Sequence, residues 1–534
     1  MIMGMFRLSP VLAFVILGAT LAIRAGADPS GPFTWGETTH VADAGWGRMT
    51  RLKDGRWLCV TALYPRPNSI LQLEISADGA RTWAPVSTVA EVGRNLDNGE
   101  VIQLPGGDIL LTGRSVVDGP GRPRSYHLPV YRSADSGKTW TSQSQIDTSE
   151  PPPTSARKPS VGLWEPHFFF LADGRLACAY ANEKPAVATP AYSQIVSEKV
   201  SPDGGKTWGD EIVLAAQLGG GRLRPGMPVV SRMKNSQYIA VYEVIGVGDG
   251  DVYFKTSRDG LIWPPGIGVH IPCQHAGPWV MTLADGRLVV SSCSNQVSTS
   301  DDDGATWLLA TPPAWPIGHV LSWPAIYQTG PDTLAAMNTF HGVNIRWGTI
   351  RPSKPWPAVL TDSFTAGTDT GWTHYGGQYR FADGAYVLNN TATTGKSLTG
   401  DPAWRDGTLE ADVMLASAGD AGLMLRTTSA DFSGPDAAFG YYVGLDSSGA
   451  VFLSRNVNDY TELARAPLDV PLNTWQHVKV TLRGAVMTVY VGDMGKPKLR
   501  VSDSFFLHGQ IGVRAHNCNA EFRRVRFAAL RQRR

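Results

Sequence analysis

An excess of either charge is missing from this sequence. Across 534 residues, 48 Lys and Arg face 47 Asp and Glu, for a formal net charge of +1, and no block of like charge breaks the balance. A polyanion-binding surface leaves no footprint here, which argues against nucleic acid and makes a neutral glycan the easier partner. Cysteine is scarce too. The five, Cys59, Cys178, Cys273, Cys293 and Cys518, follow no metal-site spacing, so neither a catalytic metal nor any other cofactor is expected. Cys273 and Cys293 flank one predicted hairpin and are either a disulfide or two buried thiols. Long apolar runs are absent beyond the start of the chain. Val11 to Ile23 is short for a membrane span; with Arg7 before it and Ala25-Gly26-Ala27 after it, residues 1–27 read as a signal peptide. Export to the extracellular space or periplasm is the expectation, without a membrane partner and as a monomer.

What is plentiful points one way. Gly 58, Pro 37 and Trp 17 favour many short strands and tight turns, in a chain too long for one core. A repeat dominates residues 40 to 350. Ser133-Ala-Asp135-Ser-Gly137-Lys-Thr-Trp140 has the form S-x-D-x-G-x-T-W. It recurs from Ser201 to Trp208 and from Ser300 to Trp307, more loosely from Ser76 to Trp83, and shortened from Ser257 to Trp263. In such a hairpin turn Asp and Ser bond the loop backbone, Gly supplies positive φ and Trp packs beneath. The motif resembles the Asp box of sialidases and related propellers.

A second repeat counts blades. Apolar strand, turn, apolar strand occurs around Asp54-Gly55, Gly106-Gly107, Asp173-Gly174, Asn235-Ser236, Asp285-Gly286 and Gly330-Pro331. Six hairpins at intervals of roughly 45–70 residues suit four-stranded blades. The sixth lacks an Asp box, so a strand near Pro32 to Val41 is expected to complete its sheet and close the ring. The six-bladed β-propeller should span 28–352. A Pro-rich linker, 353–361, precedes alternating strands such as Gly407 to Met414, which predict a β-sandwich over 362–534. The whole is all-β.

Propeller geometry then selects residues. The innermost strand of each blade starts at one mouth of the axial funnel, and the next strand ends there. Counting about seven residues from each turn places Arg48, Asp97 to Glu100, Glu165, Arg224 to Met227, Trp279 and Trp323 at the mouth, with Arg114, Glu183, Glu243, Asn295 and His341. Acids, arginines and aromatics are not what a structural channel holds. Glu165, before the run Phe168-Phe-Phe-Leu171, and Glu243, ending Tyr238-Ile-Ala-Val-Tyr-Glu243, project from adjacent blades. Two carboxyls in one cleft meet the requirement of glycoside hydrolysis. The alternative is that each only pairs with an arginine such as Arg48 or Arg224. Glu100, Glu183 and Asp97 are weaker candidates.

Leu163-Trp-Glu-Pro-His-Phe-Phe-Phe, Arg224-Pro-Gly-Met-Pro-Val-Val-Ser-Arg-Met, the Tyr238–Glu243 segment and Asn98-Gly-Glu-Val through Arg114 resemble the exo-α-1,5-L-arabinanases of glycoside hydrolase family 93. The resemblance spans roughly residues 40 to 350. It implies Glu165 as acid/base and Glu243 as nucleophile of a retaining mechanism. Arg48, Asn98, Arg114, Trp164, Arg224, Trp323 and His341 are the candidate sugar-binding residues. Two alternatives stand beside it. Gly47-Arg48-Met-Thr-Arg-Leu52 resembles the Arg-Ile-Pro region of exo-sialidases without its proline, and no tyrosine stands at the strand start near Trp323. Asp boxes also occur in non-catalytic glycan-binding propellers. In the tail, Trp372 to Tyr379, Gly440-Tyr-Tyr-Val-Gly-Leu445, Asn473 to Lys479 and Gly509 to Arg514 are similar to family 66 carbohydrate-binding modules. That likeness implies a concanavalin-like jelly roll that binds a polysaccharide or oligosaccharide. Tyr441 or Tyr442 could stack on sugar, with the other in the core.

Overall fold

The structure is a computed structural model that describes residues 32–117, 125–150, 161–310, 312–315, 323–351, 357–368, 371–389, 394–401, 404–430, 434–457 and 459–530. The expected signal peptide and the first part of the expected linker lie outside them. Six four-stranded antiparallel sheets form the propeller. Their innermost strands are Gly45–Arg51, Asn95–Gln103, Leu163–Phe170, Arg224–Arg232, Trp279–Thr282 and Ala325–Gln328. Covered on both faces by neighbouring blades, a second strand such as Leu176–Asn182 is buried at every residue, without alternation.

The ring closes as the sequence predicts. Phe33–Ala42 pairs antiparallel with Val343–Ile350 and becomes the outer strand of blade six. The Asp boxes occupy the turns between the third and fourth strands of blades one to five. In blade two Ser133 Oγ donates to Asp135 at 2.8 Å, Gly137 N–H donates to Ser133 Oγ at 2.8 Å, and Thr139 Oγ1 donates to Asp135 at 2.6 Å. Those donors, Thr207 foremost in blade three, pull Asp203 down to about 2. The box tryptophan also reaches the preceding blade: Trp140 Nε1 donates to Ser87 Oγ at 3.0 Å, Trp208 to Ser144 Oγ at 3.2 Å, and Trp263 to the buried Glu198 at 3.0 Å. The repeat therefore fastens blades two, three and four each to the one before it.

The second part is a two-sheet β-sandwich of eight and seven strands. Its first strand, Val359–Asp362, pairs with Asn519–Ala529 and so begins inside the expected linker. Leu409, Val443, Val480, Val513 and Phe522 fill the space between the sheets. The seven-stranded sheet is covered on its other face as well: Leu309 of blade five packs on the layer of Met424 and Tyr442, and the His270 ring lies 5.9 Å from Phe439. This corrects the reading of Tyr441 and Tyr442. Both are buried, at 0% and 1% exposure, and bond Asp503 and Asp420, so neither meets solvent.

Among the described residues the cysteines form no disulfide with one another. The Cys273 thiol faces the sandwich, 3.6 Å from the Ala430 carbonyl, whereas Cys293 lies against Gly277 at the funnel. The suggested pair therefore points two ways.

Ring closure rests on a buried anchor. Phe33 is 0% exposed beside Trp35. Phe33→Ala should destabilise the protein by about 3–5 kcal/mol, read as a lower unfolding midpoint. An unchanged midpoint would show that the strand is not needed for closure.

Candidate active site

Each innermost strand enters the funnel through the same distortion. Trp46, Asn98, Glu165, Met227, Gly277 and Trp323 have φ of 51°, 52°, 50°, 51°, 53° and 51°. In blades one to four the ladder skips there, as between Trp164 and His167. The residue after each is Gly or Pro: Gly47, Gly99, Pro166, Pro228, Pro278 and Pro324. A bulge of this kind re-aims one side chain away from the ladder, and a bulky residue at positive φ costs about 1–3 kcal/mol. Close packing fixes the glycines: a Cβ on Gly47 would stand 2.5 Å from Met337 Sδ.

At blade three the re-aimed side chain is Glu165. Its Oε2 accepts the Met227 N–H of blade four at 3.3 Å. Gly226, the residue before Met227, is paired across the blade-four ladder with Glu243. Glu243 Oε2 accepts the Gly277 N–H of blade five at 2.7 Å. Each carboxyl thus rests on the bulge amide of the next blade, and the two are neighbours. Burial, then repulsion from Glu243, pushes Glu165 up to about 8 against the Met227 N–H and the guanidinium groups of Arg114 and Arg224. Burial also raises Glu243, opposed by the Gly277 N–H and Arg224. Glu165 therefore keeps its proton at neutral pH.

Among the described residues neither carboxyl has an ion pair with Lys or Arg, because the arginines are engaged elsewhere. Arg224 donates to Glu183 at 2.6 Å and to Gln194 at 2.9 Å. Arg114 reaches Asp97 at 3.4 Å and lies over the Trp164 ring, 4.8 Å from its centroid. Arg48 departs from the expected mouth position. It is 2% exposed, donates to the Trp323 carbonyl at 2.9 Å, and is held between the rings of Trp46 and Trp279. Beneath Glu165, Arg48 helps line a residual cavity of only about 10 Å³. The funnel therefore ends just below the acid.

The other predicted residues divide. Trp164 flanks Glu165 and, with Tyr64, Tyr126, Asp97 and Arg114, lines an open cavity of about 300 Å³. Asn98 is buried at its bulge, and its Oδ1 has no hydrogen-bond partner among the described residues. Trp323 packs on Trp46 at 5.5 Å. His341 is not brought to the carboxyls by any contact: it sits exposed on a blade-six loop, edge-on to Phe340. Sequence reasoning missed His167, whose Nε2 faces the Val230 carbonyl at 3.2 Å and must carry a hydrogen. Its Nδ1 meets Glu100 at 3.3 Å, so that contact needs a second proton on one partner. The amides of Met227 and Gly277 were missed as well. The six Gly or Pro residues following the bulges were the available signal.

The propeller is similar to the α-L-arabinanase of Penicillium chrysogenum, solved with arabinobiose, at 21% identity and TM-score 0.50, over 59% of this chain and 98% of that one. It is similar also to the family 93 α-L-arabinofuranosidase of Fusarium graminearum with arabinobiose, at 20% identity and TM-score 0.50, with coverage of 59% and 98%. At this identity the likeness defines the fold, a family 93 arabinanase-like six-bladed propeller. Residues 360–528 match the model of the 3-keto-alpha-glucoside-1,2-lyase-like domain. The CBM66 carbohydrate-binding module of Bacillus subtilis is similar to 29% of this chain over 94% of its own length, at 23% identity and TM-score 0.26. No curated protein matches the chain.

A raised carboxyl makes stability depend on pH. Unfolded, Glu165 titrates near 4.5; folded, it keeps its proton up to about 8. Its contribution is therefore full below the lower value and lost as pH rises through the upper one. Glu165→Gln, which cannot ionise, should gain thermal stability over the wild type progressively across that window and level off above it. A difference in unfolding midpoint that does not vary with pH would contradict the shift.

Proposed function

We propose that the protein is an exported, monomeric, exo-acting glycoside hydrolase that retains configuration and acts on a neutral α-L-arabinofuranosyl glycan. The observation that carries this reading is the half-buried, neighbouring pair Glu165 and Glu243, with Glu165 protonated and neither ion-paired to Lys or Arg among the described residues. Glu165 gives its proton to the leaving oxygen as the glycosidic bond breaks, and Glu243 attacks the anomeric carbon to form a glycosyl ester. Glu165, now ionised, takes a proton from water; the water oxygen bonds the anomeric carbon and Glu243 departs as carboxylate. The sandwich serves binding in this scheme.

The disposition of the arginines favours a neutral sugar. A sialate carboxylate is best held by several guanidinium groups converging on one point. Here Arg48, Arg114 and Arg224 address the Trp323 carbonyl, Asp97 and Glu183 respectively. Tyr327 is buried, its oxygen accepting the Met49 N–H at 3.1 Å. It offers no free nucleophile.

Release of arabinobiose from linear arabinan is the expected activity; free sialic acid from a sialyl substrate, or silence on a broad glycan panel, would contradict it. Glu165→Gln and Glu243→Gln should each lower turnover by about 10²–10⁴-fold while staying folded. Near-wild-type rates in either would remove the assignment. With an aryl arabinoside whose leaving group needs no proton, Glu165→Gln should still form the glycosyl-enzyme and stall there, giving a burst. The pH profile of kcat/KM should rise as Glu243 ionises and fall through about 8 as Glu165 loses its proton. A rate still climbing above that point would oppose Glu165 as the acid.

A further inference from the structure

Charge that balances over the whole chain is unevenly placed on the faces of the sandwich. On the eight-stranded sheet, Leu409, Val480, Val489 and Phe522 point into the core, so the residues between them face outward. The ladder puts those residues in rows. Arg526 stands opposite Glu410, Glu410 opposite Lys479, and Lys479 opposite Tyr490. In the next row Arg523 stands opposite Asp412, and Asp412 opposite His477. An irregularity in the last strand, with Arg524 at φ 53°, brings two consecutive arginines to one carboxylate: both Arg523 and Arg524 bond Asp412. Arg483 and Arg500, both exposed, extend the stripe toward the sheet edge.

Depth sharpens the asymmetry. Asp412 is 2% exposed and Glu410 29%, whereas Arg523, Arg524 and Arg526 are 38%, 67% and 45% exposed. The carboxylates lie under the guanidinium groups, and solvent meets mainly positive charge. Aromatic rings are interleaved with it: Arg523 lies 4.1 Å from the Trp475 centroid and Lys479 4.3 Å from that of Tyr490. The propeller packs on the other sheet, through Leu309 and Phe439, and leaves this face open.

We infer that the outer face of the eight-stranded sheet is a binding surface for an acidic, uronate-bearing polysaccharide. Guanidinium groups pair with planar carboxylates in bidentate fashion, and the flanking rings suit the apolar faces of sugars. The cations are spread along and across strands, with carboxylates set among them. That pattern matches a polymer with one charge per sugar better than duplex nucleic acid, which carries one charge per about 1.7 Å. The surface is independent of the propeller's chemistry and would hold the protein on an acidic matrix whose neutral branches the funnel could reach.

The full-length protein should bind polygalacturonate at low ionic strength, and a rise to about 0.5 M salt should abolish the binding. A neutral dextran should not compete. The triple variant Arg483→Gln, Arg500→Gln, Arg526→Gln spares Asp412 and its partners and should keep its unfolding midpoint, while affinity falls by about tenfold or more. Absence of binding by the wild type, or equal binding by a folded variant, would overturn the inference. So would tighter binding of single-stranded DNA or phosphatidylserine vesicles than of polygalacturonate, which would give the face to another class of partner.

Discussion

Two half-buried carboxyl groups stand near the bottom of a funnel, each leaning on a backbone amide from the blade beyond it. Burial, reinforced by repulsion from Glu243, keeps the proton on Glu165 at neutral pH. A guanidinium bound directly to either would quench that effect. The structure instead commits Arg224 to Glu183, Arg114 to Asp97, and Arg48 to a carbonyl below the site. The fields of Arg114 and Arg224 still moderate the pair from a distance, opposing the rise that burial causes.

The scaffold holds this arrangement by repetition. A carboxyl from one blade and an amide from the next can meet only if neighbouring blades keep their spacing, and three devices maintain it. The Asp-box tryptophans of blades two to four fasten each to its predecessor, the strand Phe33–Ala42 closes the ring, and a bulge at the head of an inner strand turns a side chain such as Glu165 toward the axis. The strain of a Trp, Met or Glu at positive φ persists because the packed blades leave the chain no other path.

Much of this was legible in the residues. Asp boxes mark turns chemically, and hairpins recur at intervals, so blade number, ring closure and the pairing of Glu165 with Glu243 could be read by counting. Depth could not. Arg48 has the same register as its neighbours at the mouth but points down into a Trp46–Trp279 clasp, a consequence of packing between blades far apart in sequence. His341 ends the right hairpin but turns outward on its loop. Tyr441 and Tyr442 alternate as a half-exposed strand should, yet the propeller covers the face that alternation leaves open. Net charge hid the stripe around Arg523 and Arg524, because a sum over the chain carries no information about faces. Each miss is a tertiary contact overriding a correct local rule.

The central claim is that Glu165 keeps its proton at neutral pH partly because Glu243 is beside it. Infrared titration of the buried carboxyl band, assigned by its loss in Glu165→Gln, tests this directly. In the otherwise native protein the band should persist through neutral pH and disappear near 8, and in Glu243→Gln it should disappear at distinctly lower pH. A Glu165 that titrates in the ordinary carboxylate range, or at the same pH with and without Glu243, would contradict the account.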